Sequence, residues 1–149
     1  MRILALGLAS LLSLFLGTAS YAQTETPVAD PRDFVEAMIA AVEARDPDSI
    51  AGLYAEDAIV LSSGRPVVAG RPAIRDLWVQ NFAGGYARLE TASPRIERGA
   101  DRALMIFVWR ATIQPNGQDA QQINGRSMVY FTLKEGEWLI SADMWQPVP

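Results

Sequence analysis

The sequence contains no histidine and no cysteine, and both absences exclude whole classes of chemistry. Without histidine there is no imidazole base and no Ser-His-Asp triad, and without cysteine there is no thiolate nucleophile. Disulfides, thiolate-bound iron–sulfur clusters and zinc sites built from Cys and His are excluded for the same reason. The aspartates also lack the closely repeated spacing of a calcium-binding loop. The sequence therefore indicates neither a metal nor an organic cofactor.

Positive charge is also too scarce for nucleic-acid binding. The 149 residues include 13 Lys and Arg against 17 Asp and Glu, which gives a net charge of −4. Nucleic-acid binding favours a basic stripe or patch, and the sequence has none. A chain of this length fits one ordinary domain after a short leader.

The N-terminus has the layout of a secretory signal peptide. A positive start precedes a short apolar run, and the small residues Ser20 and Ala22 come before a cut at Gln23. The run is shorter than the roughly 20 residues that a membrane-spanning helix needs, although an uncleaved anchor is the alternative. We predict a signal peptide over 1–22, a loose tether over 23–30, and a periplasmic or secreted protein with no stable membrane insertion after cleavage.

Three helices are predicted next. An N-cap aspartate followed by proline begins the first helix at Asp30 and the second at Asp46. A third helix begins near Arg71 and ends at the glycine pair after residue 83. The apolar residues of each helix recur at helical spacing, and Tyr54 is predicted to point inward from the second helix.

Strands account for the rest of the sequence. A short strand over 58–61 precedes the third helix, and longer segments follow with the period of two expected of strands, over 86–97, 103–114, 124–133 and 138–145. Helices followed by an antiparallel run of strands predict one α+β domain over 31–149, with the helices on one face of the sheet.

The strand predicted over 103–114 is apolar on both faces, although a sheet that is wetted on one side normally alternates. If the helices cover one face, the face that carries Phe107 and Trp109 needs another cover. We predict a homodimer that packs sheet to sheet through these two aromatics. The alternative is that they close the edge of the core within one chain.

Three segments of the sequence carry a resemblance to a known family: ARDPDSIAGLYAEDAIVL, GRPAIRDLW and the C-terminal GEWLISADMWQPVP. Together they resemble the nuclear transport factor 2-like superfamily, in its bacterial SnoaL-like and ketosteroid isomerase-like branch, over roughly 34–145. The resemblance implies a cone-shaped α+β fold in which three N-terminal helices pack on a strongly curved, mainly antiparallel sheet. It also implies a deep apolar pocket and dimerisation through the sheet.

The resemblance does not extend to the catalytic groups of a steroid isomerase. Those enzymes use an aspartate base, with a tyrosine and a protonated aspartic acid that stabilise the oxyanion. The corresponding positions here are Ser62 for the base, and Met38 and Val129 for the other two. We therefore do not expect ketosteroid isomerase chemistry by that mechanism, and function has to be argued from the pocket.

Two charged residues, Arg110 and Asp143, are predicted to interrupt an apolar pocket wall. A carboxylate in such a pocket can serve as a general acid or base, and a neighbouring arginine can orient an anionic ligand. The alternative is a pair that only fixes the register of the sheet. Arg65 is predicted to gate the mouth. The residues predicted to bind the ligand around this pair are Met38, Tyr54, Ser62, Trp78, Val108, Ser127, Val129, Phe131, Ser141 and Trp145.

Three functions are compatible with this pocket. The one we favour is an exported protein that binds a small apolar or amphipathic molecule without converting it, because one carboxylate supplies most of the acid–base capacity. The second is a cofactor-independent isomerase, lyase or cyclase, with Asp143 as general acid or base and Arg110 or Tyr54 steadying negative charge. The third is a dimerisation or partner-binding module whose pocket is filled by its own side chains.

Overall fold

The computed structural model describes residues 29–148, where three helices pack on a curved six-stranded sheet. The predicted α+β class is confirmed, while the predicted signal peptide and nearly all of the tether lie outside the described residues. The helices are α1 (Phe34–Ala44, after a 3-10 turn at Pro31–Asp33), α2 (Pro47–Gly52) and α3 (Arg71–Ala83). The strands are β1 (Tyr54–Ser62), β2 (Val68–Ala69), β3 (Tyr86–Arg98), β4 (Arg102–Ile113), β5 (Gln121–Lys134) and β6 (Glu137–Val148).

The two predicted aspartate caps form at the start of α2 and at the start of the 3-10 turn that precedes α1. The Asp46 carboxylate accepts hydrogen bonds from the backbone N–H groups of Asp48 and Ser49, which would otherwise be unsatisfied in the first turn of α2. Asp30 likewise accepts from the backbone N–H of Arg32 at the start of the 3-10 turn. None of the helices within residues 29–148 is long and apolar enough to cross a membrane.

The position of Tyr54 differs from the prediction. The second helix ends at Gly52, and Tyr54 is the first residue of β1, which is longer than the strand predicted over 58–61. Glu56 and Asp57 interrupt the apolar pattern there, and the pairing of the strand is irregular between Tyr54 and Ile59. The tyrosine nevertheless points inward and is 1% exposed.

The sheet has the strand order β2-β1-β6-β5-β4-β3. Every pairing is antiparallel except that of β1 with β6, which is parallel. The edge strand β3 contains Pro94, which lies where the register with β4 shifts between Ala92 and Arg95. Proline cannot donate to the ladder, which explains why it is found at an edge and a bulge.

The orientation predicted for β4 is wrong. Met105, Phe107 and Ala111 are buried against the helices, whereas Ile106 and Val108 are 41% and 49% exposed on the other face. Both faces of this strand are apolar, so the pattern of hydrophobic residues did not reveal which face is buried.

A β-bulge in β6 decides which of its side chains face the helices. Tyr130 of β5 pairs with Ala142 and Phe131 pairs with Ile140, which leaves Ser141 as an extra residue in β6. Ile140 and Asp143 are consequently both buried on the helix side, although they are three residues apart.

Candidate functional site

A cavity of about 360 Å³ lies between the helices and the covered face of the sheet. This volume is near the lower end of the range of small-molecule sites. The hypothesis of a dimerisation or partner-binding module required a pocket filled by the protein's own side chains, whereas the structure has an open cavity. The lining residues are Phe34, Met38, Tyr54, Val60, Arg65, Leu77, Trp78, Gln80, Asn81, Gly84, Tyr86, Leu89, Phe107, Trp109, Ala111, Ile113, Ile123, Ser127, Asp143, Trp145 and Pro147.

A buried hydrogen bond joins Tyr54 and Asp143 in this cavity. The Tyr54 hydroxyl donates to Oδ2 of Asp143 at 2.8 Å. The bulge in β6 turns Asp143 inward, and the neighbouring parallel strand β1 supplies the tyrosine from its first residue. Asp143 is only 7% exposed, and its Oδ1 has no hydrogen-bond partner among the described residues. The carboxylate therefore has one oxygen free to accept from a ligand.

The two groups of this hydrogen bond have shifted pKa values. Burial raises the pKa of Asp143 to about 6, and the hydrogen bond from Tyr54 opposes that shift. The pKa of Tyr54 is raised well above its ordinary value, first by burial and then by the charge of Asp143. Tyr54 therefore remains protonated and donates, whereas Asp143 is mostly ionised at pH 7 and is protonated by a modest fall in pH.

Arg110 does not meet Asp143, which overturns the predicted pair. It lies on the exposed face of β4, where its Nε donates to Oδ1 of Asn124 on β5 at 3.2 Å. Val108, two residues earlier, is exposed on the same face and does not line the cavity. Arg110 and Val108 were predicted to line the pocket because β4 was predicted in the opposite orientation.

Trp109 forms a wall of the cavity, and so does Phe107, so neither residue lies on the exposed face that the homodimer prediction required. The indole N–H of Trp109 donates to Oγ of Ser127 at 3.1 Å, and its ring meets that of Trp145 edge-on at 6.3 Å. Gly125 lies opposite Trp109 on β5, and a Cβ at Gly125 would overlap the indole ring. Because Gly125 has no side chain, the Trp109 ring can occupy this space.

On the α3 side, Trp78 forms a second aromatic wall with Tyr86, edge-on at 5.3 Å. Tyr86 is largely buried, and burial raises its pKa. Trp78 was predicted as a pocket wall, and the structure places it there. The cavity is thus lined by rings contributed by a helix and by strands at opposite sides of the sheet.

The other predicted site residues divide into two groups. The structure brings Met38, Tyr54, Trp78, Ser127, Asp143 and Trp145 to the cavity, together with Arg65 on the exposed turn after β1. Val129 and Phe131 face the same side but lie in the core beside the cavity, and Ser62 at the end of β1 does not line it. Ser141 is the bulged residue, and its hydroxyl is 2.7 Å from that of Thr132 rather than in the cavity.

Several lining residues were not predicted. Phe34 belongs to the apolar stripe of the first helix, and Tyr86 and Leu89 begin the edge strand β3. Their burial could be read from the periodicity, but their place beside the cavity depends on how the sheet curves over the helices. No group of three or more acidic residues that could hold a metal ion occurs within residues 29–148.

A curved sheet with helices over an apolar cavity defines the nuclear transport factor 2-like and ketosteroid isomerase-like class of folds. Within this class, the family model described as a SnoaL-like domain matches residues 35–140, and the chain belongs to that family. This confirms the resemblance inferred from the sequence. No curated protein matches the chain.

Solved structures share this fold at low sequence identity. A ketosteroid isomerase-like protein from Erwinia carotovora atroseptica is 14% identical with a TM-score of 0.68, over 79% of this chain and 93% of that one. An NTF2-like protein with a cystatin-like fold from Novosphingobium aromaticivorans is 15% identical with a TM-score of 0.67, over 78% and 79%. LinA is 17% identical with a TM-score of 0.71, over 79% and 83%. At these identities the similarity shows the fold alone.

Proposed function

We propose that this SnoaL-like protein binds a small apolar or amphipathic molecule in the cavity between its helices and its sheet. The observation that carries the proposal is the combination of a largely aromatic cavity with one unpartnered carboxylate oxygen, on Asp143. Small-molecule sites are typically apolar cavities in which a few polar groups fix the orientation of the ligand. Apolar contact with the rings provides affinity here, and Asp143 provides orientation.

Native mass spectrometry of the protein purified from its own periplasm or medium tests this proposal. We expect a small molecule to copurify with the wild type and to be lost from Trp145→Ala, which removes a wall of the cavity. Val79→Ala is the matched control, because Val79 is an exposed residue of α3 that does not line the cavity. A cavity that carries no molecule and takes up no apolar fluorescent dye would contradict the proposal.

A second candidate is a cofactor-independent enzyme that moves a proton through Asp143. The raised pKa of Asp143 favours it, since a general acid or base works best when its pKa lies near the operating pH. Tyr54, rather than Arg110, is the donor that touches the carboxylate. Asp143→Asn should then abolish turnover of a bound substrate while leaving binding within a few fold. Unchanged turnover in that variant would rule out this role.

We also propose export, because residues 1–22 have the layout of a secretory signal peptide. N-terminal sequencing of the protein from the periplasm or medium should begin at Gln23. An intact Met1 in the mature protein would contradict it.

A homodimer through the exposed face of the sheet is our proposal for assembly, with a surface that differs from the one predicted. Ile106, Met128 and Met144 lie side by side on β4, β5 and β6, and all three are at least 41% exposed. A row of large apolar side chains across three strands is typical of an interaction surface. A second copy of the chain would cover it by symmetry.

A further inference from the structure

The cavity contains a carboxyl group, Asp143, that forms no ion pair with a basic side chain among the described residues. Its ionisable lining residues are Asp143, Tyr54, Tyr86 and Arg65, since α1 and α3 contribute only uncharged side chains. Burial raises the pKa of both tyrosines, so they stay neutral. Arg65 lies on the exposed turn after β1, and no ion pair within residues 29–148 includes Asp143.

The geometry of Asp143 leaves a definite position for a donor. Oδ2 accepts from Tyr54, while Oδ1 is buried without a partner. A buried charge that lacks a counter-charge and half of its hydrogen bonds is unfavourable in the empty protein. A ligand that brings both a donor and a positive charge removes both deficits, whereas a neutral hydroxyl removes only one.

The walls of the cavity suit the same kind of ligand. The rings of Trp109 and Trp145 meet edge-on beside Ser127, and Trp78 lies on the opposite wall with Tyr86. The faces of such rings attract cations, and tryptophan does so most strongly. They also accommodate the hydrocarbon part of a ligand. Because Asp143 is buried among these aromatic walls whereas Arg65 lies on the exposed turn, the interior of the cavity favours a cation with an apolar body over an anion.

We propose that the ligand is a small apolar amine bound in its protonated form. Its ammonium N–H donates to Oδ1 of Asp143, and its hydrocarbon body lies among Trp78, Trp109 and Trp145. The inference rests on the proposed binding function and names the chemical class of its ligand. It concerns binding alone and involves no covalent step.

Three probes with the same phenylalkyl body test the inference by isothermal titration calorimetry at pH 7.5. They are 2-phenylethylamine, 2-phenylethanol and phenylacetate, which are a cation, a neutral donor and an anion. The amine and the alcohol can both donate to the carboxylate, but only the ammonium adds an opposite charge to the hydrogen bond, in a buried site where that attraction is weakly screened. We therefore expect the amine to bind at least about tenfold more tightly than the alcohol, and the carboxylate to bind most weakly.

Two variants test whether Asp143 is the group responsible for the preference for the amine. Asp143→Asn should abolish the preference for the amine and weaken binding of the amine much more than binding of 2-phenylethanol, because the amide keeps an acceptor but has no charge. Asp57→Asn removes an exposed carboxylate that does not line the cavity and should keep the preference. In the wild type, the affinity for the amine should rise from pH 5 to pH 7 as Asp143 ionises, and the profile of Asp143→Asn should be flat over this range.

The possible failures are distinguishable. Equal or tighter binding of the alcohol would overturn the amine inference, as would an amine preference that survives in Asp143→Asn. Binding of an apolar fluorescent dye in the cavity with no binding of the amine would overturn it too. If neither the dye nor any probe binds, the proposed binding function itself fails.

Discussion

Asp143 carries an energetic cost that depends on pH. Its pKa is about 6 in the folded protein against an ordinary value of 3.8, so the folded state holds the proton more tightly than the unfolded chain. The contribution of Asp143 to the free energy of unfolding is therefore full below about pH 4 and is lost as the pH rises through 6. The difference of roughly 2 between these two pKa values corresponds to about 3 kcal/mol in the free energy of unfolding.

We predict that Asp143→Asn removes the loss of stability that accompanies ionisation of Asp143. Between pH 4 and pH 7.5, the free energy of unfolding of the wild type should fall relative to that of the variant by about 2–3 kcal/mol, measured by urea denaturation. Asp57→Asn is the control, because Asp57 is an exposed carboxylate whose pKa is lowered by Lys134. Parallel curves for wild type and Asp143→Asn would show that burial does not perturb Asp143.

The Tyr54 hydroxyl opposes the effect of burial, so its removal has a predictable sign. We predict that Tyr54→Phe raises the pKa of Asp143 above 6, because the hydrogen bond that favours the carboxylate is lost. It should also lower the stability at pH 7.5 by about 1–3 kcal/mol, since both carboxylate oxygens are then unpartnered. Carbon-13 NMR titration of the Asp143 carboxyl measures the shift. Tyr86→Phe, at the other tyrosine of the cavity, should leave the midpoint unchanged.

At the scale of elements, the caps and turns were predictable, and the orientation of strands was predictable only where one face is polar. Asp46 followed by proline fixed the start of α2, because the cap satisfies backbone groups locally. The direction in which Phe107 points was not predictable, since β4 is apolar on both faces and its orientation depends on packing with distant helices. The inward placement of Trp145 was predictable from the family resemblance. The contact between Tyr54 and Asp143 was not, because 89 residues separate them.

The wall formed by β4 and β5 depends on Gly125. We predict that Gly125→Ala displaces the Trp109 ring, breaks its hydrogen bond to Ser127 and destabilises the fold by about 1–3 kcal/mol, as overpacking does. Ligand affinity should fall as well, because Trp109 lines the cavity. Tryptophan fluorescence and thermal unfolding measure the two effects.

A second substitution separates steric overlap from other effects at this position. Trp109→Leu in the Gly125→Ala background should restore part of the lost stability, because the shorter side chain leaves room for the new methyl group. Gly52→Ala is the matched control, since a Cβ there meets nothing within 4 Å. If Gly125→Ala is as stable as the wild type, the overlap is relieved without moving the wall.

At the scale of the whole molecule, the two faces of the sheet have different surroundings. One face closes the cavity, and the other exposes the row of Ile106, Met128 and Met144. We predict that Met128→Glu converts the proposed dimer to a folded monomer, because it places a charge at the centre of this row. Sedimentation velocity at micromolar concentration measures the change. Val79→Glu is the control, since Val79 is 43% exposed and Met128 44%, but Val79 lies on α3.

Two experimental results would contradict the dimer prediction, one by excluding the dimer and the other by changing its interface. A wild-type protein that sediments as a monomer at micromolar concentration would overturn the dimer itself. A dimer that survives Met128→Glu but dissociates with a substitution elsewhere would leave the assembly in place and move its interface.

The extra residue at Ser141 has a consequence for how members of this family are compared. Strict alternation from Ile140 would turn Ala142 and Met144 toward the helices and Asp143 away from them. Loss of the bulge at an unchanged strand length would therefore exchange a carboxylate for a thioether in the cavity without substituting either side chain. An alignment that misplaces one gap in this strand will pair residues from opposite sides of the sheet.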